Sequence, residues 1–232
     1  MPRYKLNSVY LITSFIVVCC LHGGVMAKAD KGSWPFEITV KHRPGTYWWC
    51  PGSAWDAESI DWNLENLKAG GIGAAHIVPI YGAKGYEDRY ITYLSEEWID
   101  SLQYILKKAQ SLEMQIDMTT GTGWCFGGPD LAQDHKDTRA SLDKKTGTLS
   151  FSTRRMVKRA APGGSGHMLN PFSQSAIAAY IDRFDNALKG LEFLPRAQYH
   201  DSFEYSGNWC AEMPSEFNKR PVSYTHLTLP TN

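Results

Sequence analysis

The stretch Met114-Gln-Ile-Asp-Met-Thr-Thr-Gly-Thr-Gly-Trp-Cys-Phe-Gly-Gly-Pro129 decides the fold prediction. Its apolar residues Met114, Ile116 and Met118 alternate with polar ones, which predicts a β-strand. A loop rich in glycine and aromatic residues follows directly. Glycine lets backbone approach a ligand, aromatic rings stack on sugars, and α/β barrels place active sites at strand carboxyl ends. The pattern predicts a ligand-binding loop, with a purely structural turn as the alternative.

Strand and helix patterns alternate on the amino-terminal side of this stretch. A short aromatic strand at Thr46 to Cys50 precedes a helix that Asp56 caps and Gly70 ends. The continuously apolar run from Gly73 to Tyr81 is typical of a buried parallel strand. A second amphipathic helix begins after Ser95. Two helices between three strands predict an α/β barrel or a doubly wound sheet.

The carboxyl-terminal side predicts one more unit. Residues 130–166 interrupt the alternation and hold a β-like run at 147–153, which we interpret as a small β insertion. Ser173 caps a third helix, and 198–203 is predicted to be a fourth strand. The fold class is therefore predicted to be α/β, with residues 44–220 forming an incomplete (β/α)8 TIM-type barrel of about four units. The apolar residues assigned to the third helix are Ala176, Ile177, Tyr180, Ile181, Phe184 and Leu188.

Composition and motif spacing argue against several classes of partner. The chain has 232 residues with 24 basic and 24 acidic ones, so charge gives no reason to expect nucleic acid or an anionic membrane. The glycines of 121–127 lack the GxGxxG spacing, so no nucleotide cofactor is predicted. Aromatic residues make up 12% of the chain, which fits a carbohydrate-binding surface and also an aromatic core.

The amino terminus predicts export. Residues 1–27 have a basic start, an apolar run from Val9 to Leu21 and small residues before a cleavage point after Ala27. A membrane anchor that stays attached is the alternative, but the apolar run is short for a span of ~20 residues, so we expect cleavage and no span after it. Residues 28–43 are predicted to be a linker, and the mature chain to be periplasmic or extracellular. Cys19-Cys20 makes a poor lipobox, so a lipoprotein is the less favoured alternative.

Three cysteines, Cys50, Cys125 and Cys210, follow the signal, and each comes directly after a tryptophan. An odd number in an exported protein favours partly buried free thiols, or one disulfide and a spare thiol. A metal-dependent hydrolase with a three-thiolate site is the remaining alternative. No CxxC spacing supports it.

Several segments together resemble glycoside hydrolase family 106, the α-L-rhamnosidase-like bacterial enzymes. The resemblance extends from about Pro44 to Arg220 in order and spacing. The matching segments are Trp48-Trp49, Asn66–Gly73, Leu94–Trp98, Gly121–Pro129, Val157–Gly164, Asp201–Glu204, Asn208-Trp209 and Glu216-Phe217.

The resemblance implies a catalytic barrel that hydrolyses terminal deoxy-sugar residues of polysaccharides. It implies inversion by two carboxylates, and often a calcium ion that touches sugar hydroxyls. No residue of this chain can be assigned as a metal ligand, so the metal site is unknown. A non-catalytic carbohydrate-binding protein or pseudoenzyme on the same scaffold is the alternative function.

The candidate site residues lie on the predicted strands or in the segments that follow them. Glu204 is the first choice for a catalytic carboxylate. Asp201 lies three positions away and points oppositely on an extended strand, so it is a hydrogen-bonding or sugar-hydroxyl ligand, with a capping or salt-bridged carboxylate as the alternative. Asp117 binds a sugar hydroxyl or pairs with a neighbouring strand. Trp124 stacks on sugar or packs in the core, and Trp209 is assigned to substrate binding.

The second catalytic carboxylate is expected on a later strand. After Arg220 the sequence Pro221-Val-Ser-Tyr-Thr-His-Leu-Thr-Leu-Pro-Thr-Asn232 does not resemble the family and looks like a non-native tail. A genuine short terminus is the alternative. We therefore expect the chain to be a fragment that is neither stably folded nor active alone, since an open sheet edge promotes aggregation.

Overall fold

The computed structural model describes residues 37–219, and a four-stranded parallel sheet lies at its centre. From Val40 onward the described residues belong to one unit. The predicted signal peptide and the predicted tail at 221–232 lie outside the described residues. Within the described part, no helix is long and apolar enough to cross a bilayer.

Eight strands are present in the described part of the chain. They are β1 (Gly45–Pro51), β2 (Ala74–Ile80), β3 (Gln115–Thr119), β4 (Gly127–Gly128), β5 (Arg139–Leu142), β6 (Leu149–Ser152), β7 (His167–Met168) and β8 (Ala197–Tyr199). The central sheet has the order β1-β2-β3-β8, with all neighbours parallel. Tyr47 lies opposite His76, His76 opposite Asp117, and Asp117 opposite Ala197.

The four strands of this sheet are arranged side by side in the order in which they occur along the chain, with β4 to β7 and a helix between β3 and β8. Helices occupy the connections, so the α/β fold class is confirmed. The same order is found in the first units of a (β/α)8 barrel. Within the described residues β1 and β8 form the two edges of the sheet. Closure into a barrel, whole or partial, therefore stays a prediction.

Two helices connect the first three strands. They are α1 (Ala57–Ala69) and α2 (Glu96–Ser111). The predicted caps are both formed: Asp56 Oδ1 accepts from the Ser59 amide at 2.7 Å, and Ser95 Oγ accepts from the Trp98 amide at 3.3 Å. Five residues of α2 are buried, as its periodicity predicts: Trp98, Leu102, Ile105, Leu106 and Ala109.

The third helix, α3 (Gln174–Leu188), is capped by Ser173 as predicted. Its buried face is narrower than predicted. Ala176, Tyr180 and Phe184 are buried at four-residue spacing, whereas Ile177 is 38% exposed and Ile181 49% exposed. The two isoleucines follow the buried residues by one position, which rotates them about 100° around the helix axis. A short helix, α4 (Met213–Lys219), ends the described residues.

The predicted β insertion is present. Strands β5 and β6 form an antiparallel hairpin, and β4 pairs antiparallel with β7. The described residues also hold three single-turn 3-10 helices, at Val40–His42, Glu87–Arg89 and Gln133–His135. The last central strand is shorter than predicted, since β8 ends at Tyr199 and residues 200–204 are not strand.

The two faces of the central sheet differ sharply. The helix-covered face carries a packed core that includes Ile77, Met118 and Trp98. The opposite face carries an aromatic row in which Tyr47 is 46% exposed and Trp49 is 44% exposed. We call this second surface the open face. The open face is continuous with the edge of the sheet at the carboxyl ends of the strands.

Candidate functional site

Aromatic and charged side chains meet at the carboxyl-terminal edge of the sheet. Trp49 packs edge-to-face on Trp124, with ring centroids 5.5 Å apart. The Arg159 guanidinium carbon lies 5.4 Å from the Tyr81 ring centroid and 5.6 Å from that of Trp124. We call this surface the rim and define it by the residues Trp49, Tyr81, Trp124, Lys158, Arg159 and Glu204.

Backbone hydrogen bonds join the segments that carry the rim. The Trp124 amide donates to the Lys158 carbonyl at 3.3 Å, and the Tyr81 amide donates to the Arg159 carbonyl at 3.2 Å. The Phe126 amide donates to the Tyr205 hydroxyl at 2.9 Å. The loop after β3, the segment around 158 and the segment after β8 are therefore held against each other.

The glycines of the loop after β3 serve close packing of the protein on itself. A Cβ on Gly123, where φ is +63°, would lie 1.8 Å from the Lys158 carbonyl oxygen. A Cβ on Gly127, where φ is +152°, would lie 2.3 Å from the His167 carbonyl oxygen. Both positions need glycine because of backbone contacts within the chain. The structural-turn interpretation of these two glycines thus has a direct physical basis.

Buried tyrosine hydroxyls satisfy the backbone of the same loop. Tyr93 Oη accepts from the Gly121 amide at 3.1 Å, and Tyr180 Oη accepts from the Gly127 amide at 3.2 Å. Tyr180 Oη also lies 3.0 Å from the Thr120 carbonyl, to which it can donate. Burial raises the pKa of Tyr180 to about 12, so the hydroxyl keeps its proton. These hydrogen bonds hold the loop, and with it Trp124, in one position.

Glu204 lies at the rim with its carboxylate 30% exposed. Its Oε2 forms an ion pair with Lys158, and its Oε1 accepts from the Ser202 hydroxyl at 3.1 Å. The hydrogen bond from Lys158 is the largest cause of a lowered Glu204 pKa, followed by that from Ser202. Glu204 is therefore ionised near neutral pH, which suits a base or an electrostatic role and does not suit a proton donor.

The two aspartates assigned to substrate binding are both engaged within the protein. Asp117 forms a two-point ion pair with Arg196, whose Nε lies 2.9 Å from Asp117 Oδ1. Asp201 Oδ1 accepts from the Ser202 amide at 2.7 Å. Arg196 directly precedes β8, so the Asp117 contact joins two neighbouring strands, and the substrate-binding assignments of both aspartates stay predictions.

The two tryptophans assigned to substrate binding lie in different places. Trp124 belongs to the rim. Trp209 instead pairs with the β insertion through an isolated bridge to Thr138, and its ring lies 5.4 Å from that of Phe151. Trp209 and Phe151 line a separate cavity of about 350 Å³. The structure therefore unites Glu204 with Trp124 and places Trp209 on another surface.

The three described cysteines are free and buried. Burial is the largest cause of a raised thiol pKa in each of the three, and it raises the pKa of Cys50 to about 12. Their thiols are protonated near neutral pH, which makes them poor metal ligands. The free-thiol interpretation thus fits the described residues.

A metal site does not emerge from the described acidic, histidine and cysteine side chains. Residues 37–219 contain no group of three or more of them placed to hold an ion. Calcium prefers six to eight oxygen ligands, and Glu204 and Asp201 already have partners within the protein. These residues do not fit a calcium site as they stand. Calcium binding stays an expectation from the family resemblance.

Several rim residues escaped the sequence analysis. Trp49 shares the open face with Tyr47, and the period-2 alternation of β1 could have predicted that placement. Lys158 and Arg159 belong to a segment that matched the family, yet only their basic character was a signal. Tyr81 was predicted to be the last residue of a strand, whereas β2 ends at Ile80 and Tyr81 directly follows it, as catalytic and binding residues of α/β proteins do.

No protein-family model and no curated protein matches this chain. Solved structures to which it is similar include a rhamnosidase from Novosphingobium sp. PP1Y, with 19% identity and a TM-score of 0.39 over 46% of this chain. An inactive double mutant of MUTB matches 65% of the chain with 11% identity and a TM-score of 0.33. A sucrose 6F-phosphate phosphorylase from Thermoanaerobacter thermosaccharolyticum matches 68% with 13% identity and a TM-score of 0.30.

These TM-scores are too low to establish a shared fold. The matches span 10%, 34% and 39% of the lengths of the three similar chains.

Proposed function

We propose that this chain is the amino-terminal part of an exported glycoside hydrolase that is α-L-rhamnosidase-like. It would hydrolyse terminal sugar residues by a two-carboxylate, inverting mechanism, with Glu204 as one carboxylate. The observation that carries the proposal is the rim, where an ionised Glu204 lies on the same fixed edge as the Trp49–Trp124 pair. The family resemblance of the segments that supply these residues supports it.

The chemistry assigned to Glu204 is that of a general base. An inverting enzyme needs one carboxylate that takes a proton from water and one acid that protonates the leaving oxygen, ~6.5–9.5 Å apart. The lowered pKa keeps Glu204 in the basic form, and Lys158 and Ser202 fix its orientation. The acid is expected beyond the matched segments, so no donor is assigned here.

Aromatic side chains would hold the sugar. Trp49 and Tyr47 stack at an interplanar angle of 17°, and both remain exposed. Their aromatic faces can pack against the C–H face of a sugar ring. The hydroxyl groups at the edge of the sugar would then contact Glu204 and Lys158. Asp117 is proposed to position β8 beside β3 through its ion pair with Arg196. Trp209 and Asp201 remain proposed substrate contacts, outside this core set.

A carbohydrate-binding protein without catalysis is the second candidate. Both carboxylate oxygens of Glu204 already accept hydrogen bonds, as in a structural ion pair. Such an arrangement would hold the rim together and leave the aromatic residues to bind sugar. The two candidates share a binding surface and differ in what Glu204 does.

Turnover by a Glu204→Gln variant separates the two candidates. The assay measures p-nitrophenol release from p-nitrophenyl α-L-rhamnoside by this chain and by any longer protein that contains it. Loss of a general base lowers the rate by ~100-fold to 10,000-fold, while sugar binding is retained. Glu97→Gln, an exposed carboxylate in the first turn of α2, is the matched control.

The outcomes decide between the candidates. A large loss of turnover in Glu204→Gln, with normal turnover in Glu97→Gln, supports the hydrolase. Sugar binding with no turnover in any version supports the binding protein. Equal turnover in Glu204→Gln and the wild type would contradict the role assigned to Glu204.

A further inference from the structure

We propose that the rim recognises a glycan that carries an anionic group, a carboxylate or a sulfate ester, through Arg159 together with Arg155 and Lys158. The inference rests on the proposed carbohydrate function and specifies the substrate class of the same site. Neutral sugar rings would pack on the aromatic residues. The anionic group would sit against the basic segment beside them.

The basic charge of the rim is locally uncompensated. Residues 154–159 read Arg-Arg-Met-Val-Lys-Arg, four cations in six positions of a chain whose net charge is zero. In residues 37–219, Glu204 is the acidic side chain that forms a salt bridge with this segment, through Lys158. The segment therefore keeps a positive excess next to the aromatic residues, which attracts and concentrates anions.

The backbone conformation of Arg159 fixes the position of its side chain. Its φ is +57°, a conformation that non-glycine residues rarely adopt. The Tyr81 amide donates to its carbonyl at 3.2 Å, which ties this unusual backbone to the end of β2. Strained backbone that the surrounding structure holds in place is often found at ligand-binding sites. The fixed backbone therefore directs the Arg159 side chain over the Tyr81 and Trp124 rings.

The Arg159 guanidinium keeps most of its donors available. Nη1 donates to Tyr81 Oη at 2.8 Å, and the planar group lies over the Tyr81 and Trp124 rings. A guanidinium has five N–H donors, and its planar fork matches the two oxygens of a carboxylate or sulfate. Arg159 is exposed and no acidic side chain within the described residues forms a salt bridge with it. An anionic group of the ligand can fill that role.

Arg155 extends the positive surface toward Glu204. It is exposed, and its charge is a smaller cause of the lowered Glu204 pKa, after the hydrogen bonds from Lys158 and Ser202. Its charge therefore acts on the carboxylate assigned to catalysis. The Arg159 guanidinium lies over the Trp124 ring and Lys158 pairs with Glu204, so an anionic group bound by these cations would be next to the sugar that the enzyme cleaves.

Oligogalacturonate and its methyl ester test whether the anionic group is a carboxylate, because the two ligands have the same sugar chain and differ in charge. Dextran sulfate and dextran test the sulfate arm in the same way. Tryptophan fluorescence of the 232-residue chain at submicromolar concentration measures each Kd at low and at physiological salt. We expect at least one anionic ligand to bind ~10-fold or more tightly than its neutral counterpart, since charge-assisted hydrogen bonds are the stronger class. The difference should shrink as salt is added.

Three variants assign the effect to residues. Arg159→Gln and Arg155→Gln should each weaken binding of the preferred anionic ligand by ~10-fold and leave the neutral counterpart within about twofold. Arg139→Gln, an exposed arginine on β5, is the matched control and should change neither. Thermal unfolding of each variant checks its fold. Arg155→Gln keeps the test decisive if Arg159→Gln unfolds, because Arg155 is not packed between rings.

The failure of this inference is distinguishable from that of the proposed function. Equal affinity for charged and neutral members of both pairs would overturn the anionic preference and leave carbohydrate binding in place. A preference for charge that survives in both Arg155→Gln and Arg159→Gln would overturn the assignment to the rim. Binding of none of the four ligands, together with no turnover in the rhamnoside assay, would overturn the proposed function itself.

Discussion

The pair formed by Glu204 and Lys158 sets the chemistry of the rim at the scale of single residues. Lys158 and Ser202 together hold the Glu204 carboxylate and lower its pKa. A group whose folded-state pKa is lowered contributes stability above its ordinary pKa, and loses that contribution as the pH falls through the lowered value. The ion pair therefore persists across the neutral range and breaks in acid.

Removing the lysine should raise the Glu204 pKa. In Lys158→Gln the largest cause of the lowered value is lost, so the pKa should move up toward the ordinary carboxyl range. NMR titration of the Glu204 side-chain carboxyl carbon measures the change. Lys144→Gln, at the exposed turn of the β5–β6 hairpin, is the control and should leave it unchanged. An unchanged value in Lys158→Gln would contradict the assigned ion pair.

Residue contacts were the part least predictable from the sequence. Glu204 was identified by its place after a strand and by the family resemblance. Its partner Lys158 lies 46 positions earlier, after the β insertion, so no local pattern links the two. The same is true of Asp117 and Arg196, which are 79 positions apart. Such pairs depend on how the loops fold back over the sheet edge.

The loop after β3 determines where Trp124 lies at the scale of structural elements. Its glycines allow the loop to contact the segment around Lys158 without side chains between them. Gly123 and Gly147 have nearly the same backbone conformation, with φ of +63° and +69°. They differ in surroundings, since a Cβ on Gly147 meets nothing within 4 Å.

Alanine at these two glycines separates conformational strain from collision. Both substitutions put a Cβ on a left-handed residue, at a cost of ~1–2 kcal/mol. Gly123→Ala also drives the Cβ into the Lys158 carbonyl, which adds ~1–3 kcal/mol. Urea denaturation of each variant measures the free energy of unfolding. Equal destabilisation by Gly123→Ala and Gly147→Ala would show that the loop does not pack closely there.

Elements with strong local signals were predicted well. The helices α1, α2 and α3 begin at their predicted caps, because a capping side chain and an apolar stripe act within a few residues. Strand β8 was predicted too long. Residues 200–204 have an extended-looking sequence, but Asp201 bonds to the Ser202 amide and His200 to Tyr205, and these side-chain contacts replace the ladder.

At the scale of the whole molecule, the open face determines whether molecules associate with one another. Within the described residues, one side of the sheet is packed against helices while the other exposes Tyr47, Trp49 and Tyr199. The strands β1 and β8 are also edge strands of the described sheet. Exposed apolar patches and edge strands promote association between molecules.

We expect the 232-residue chain to self-associate at micromolar concentration. Sedimentation velocity across a dilution series measures this, and Tyr47→Ser should weaken the association because it removes an aromatic ring from the open face. Tyr104→Ser is the control, since Tyr104 is an exposed tyrosine on α2. A monomer at every concentration, with a cooperative thermal transition, would contradict both this expectation and the one that the chain is not stably folded alone.

Sugar binding at the rim is the central claim, and tryptophan fluorescence tests it most directly. L-rhamnose is titrated into the chain at submicromolar concentration, where association is weakest. We predict a saturable change in emission that is lost in Trp49→Phe and in Trp124→Phe. It should be retained in Trp62→Phe, which alters a solvent-exposed tryptophan of α1. No saturable change, or one that survives the loss of both rim tryptophans, would contradict the account.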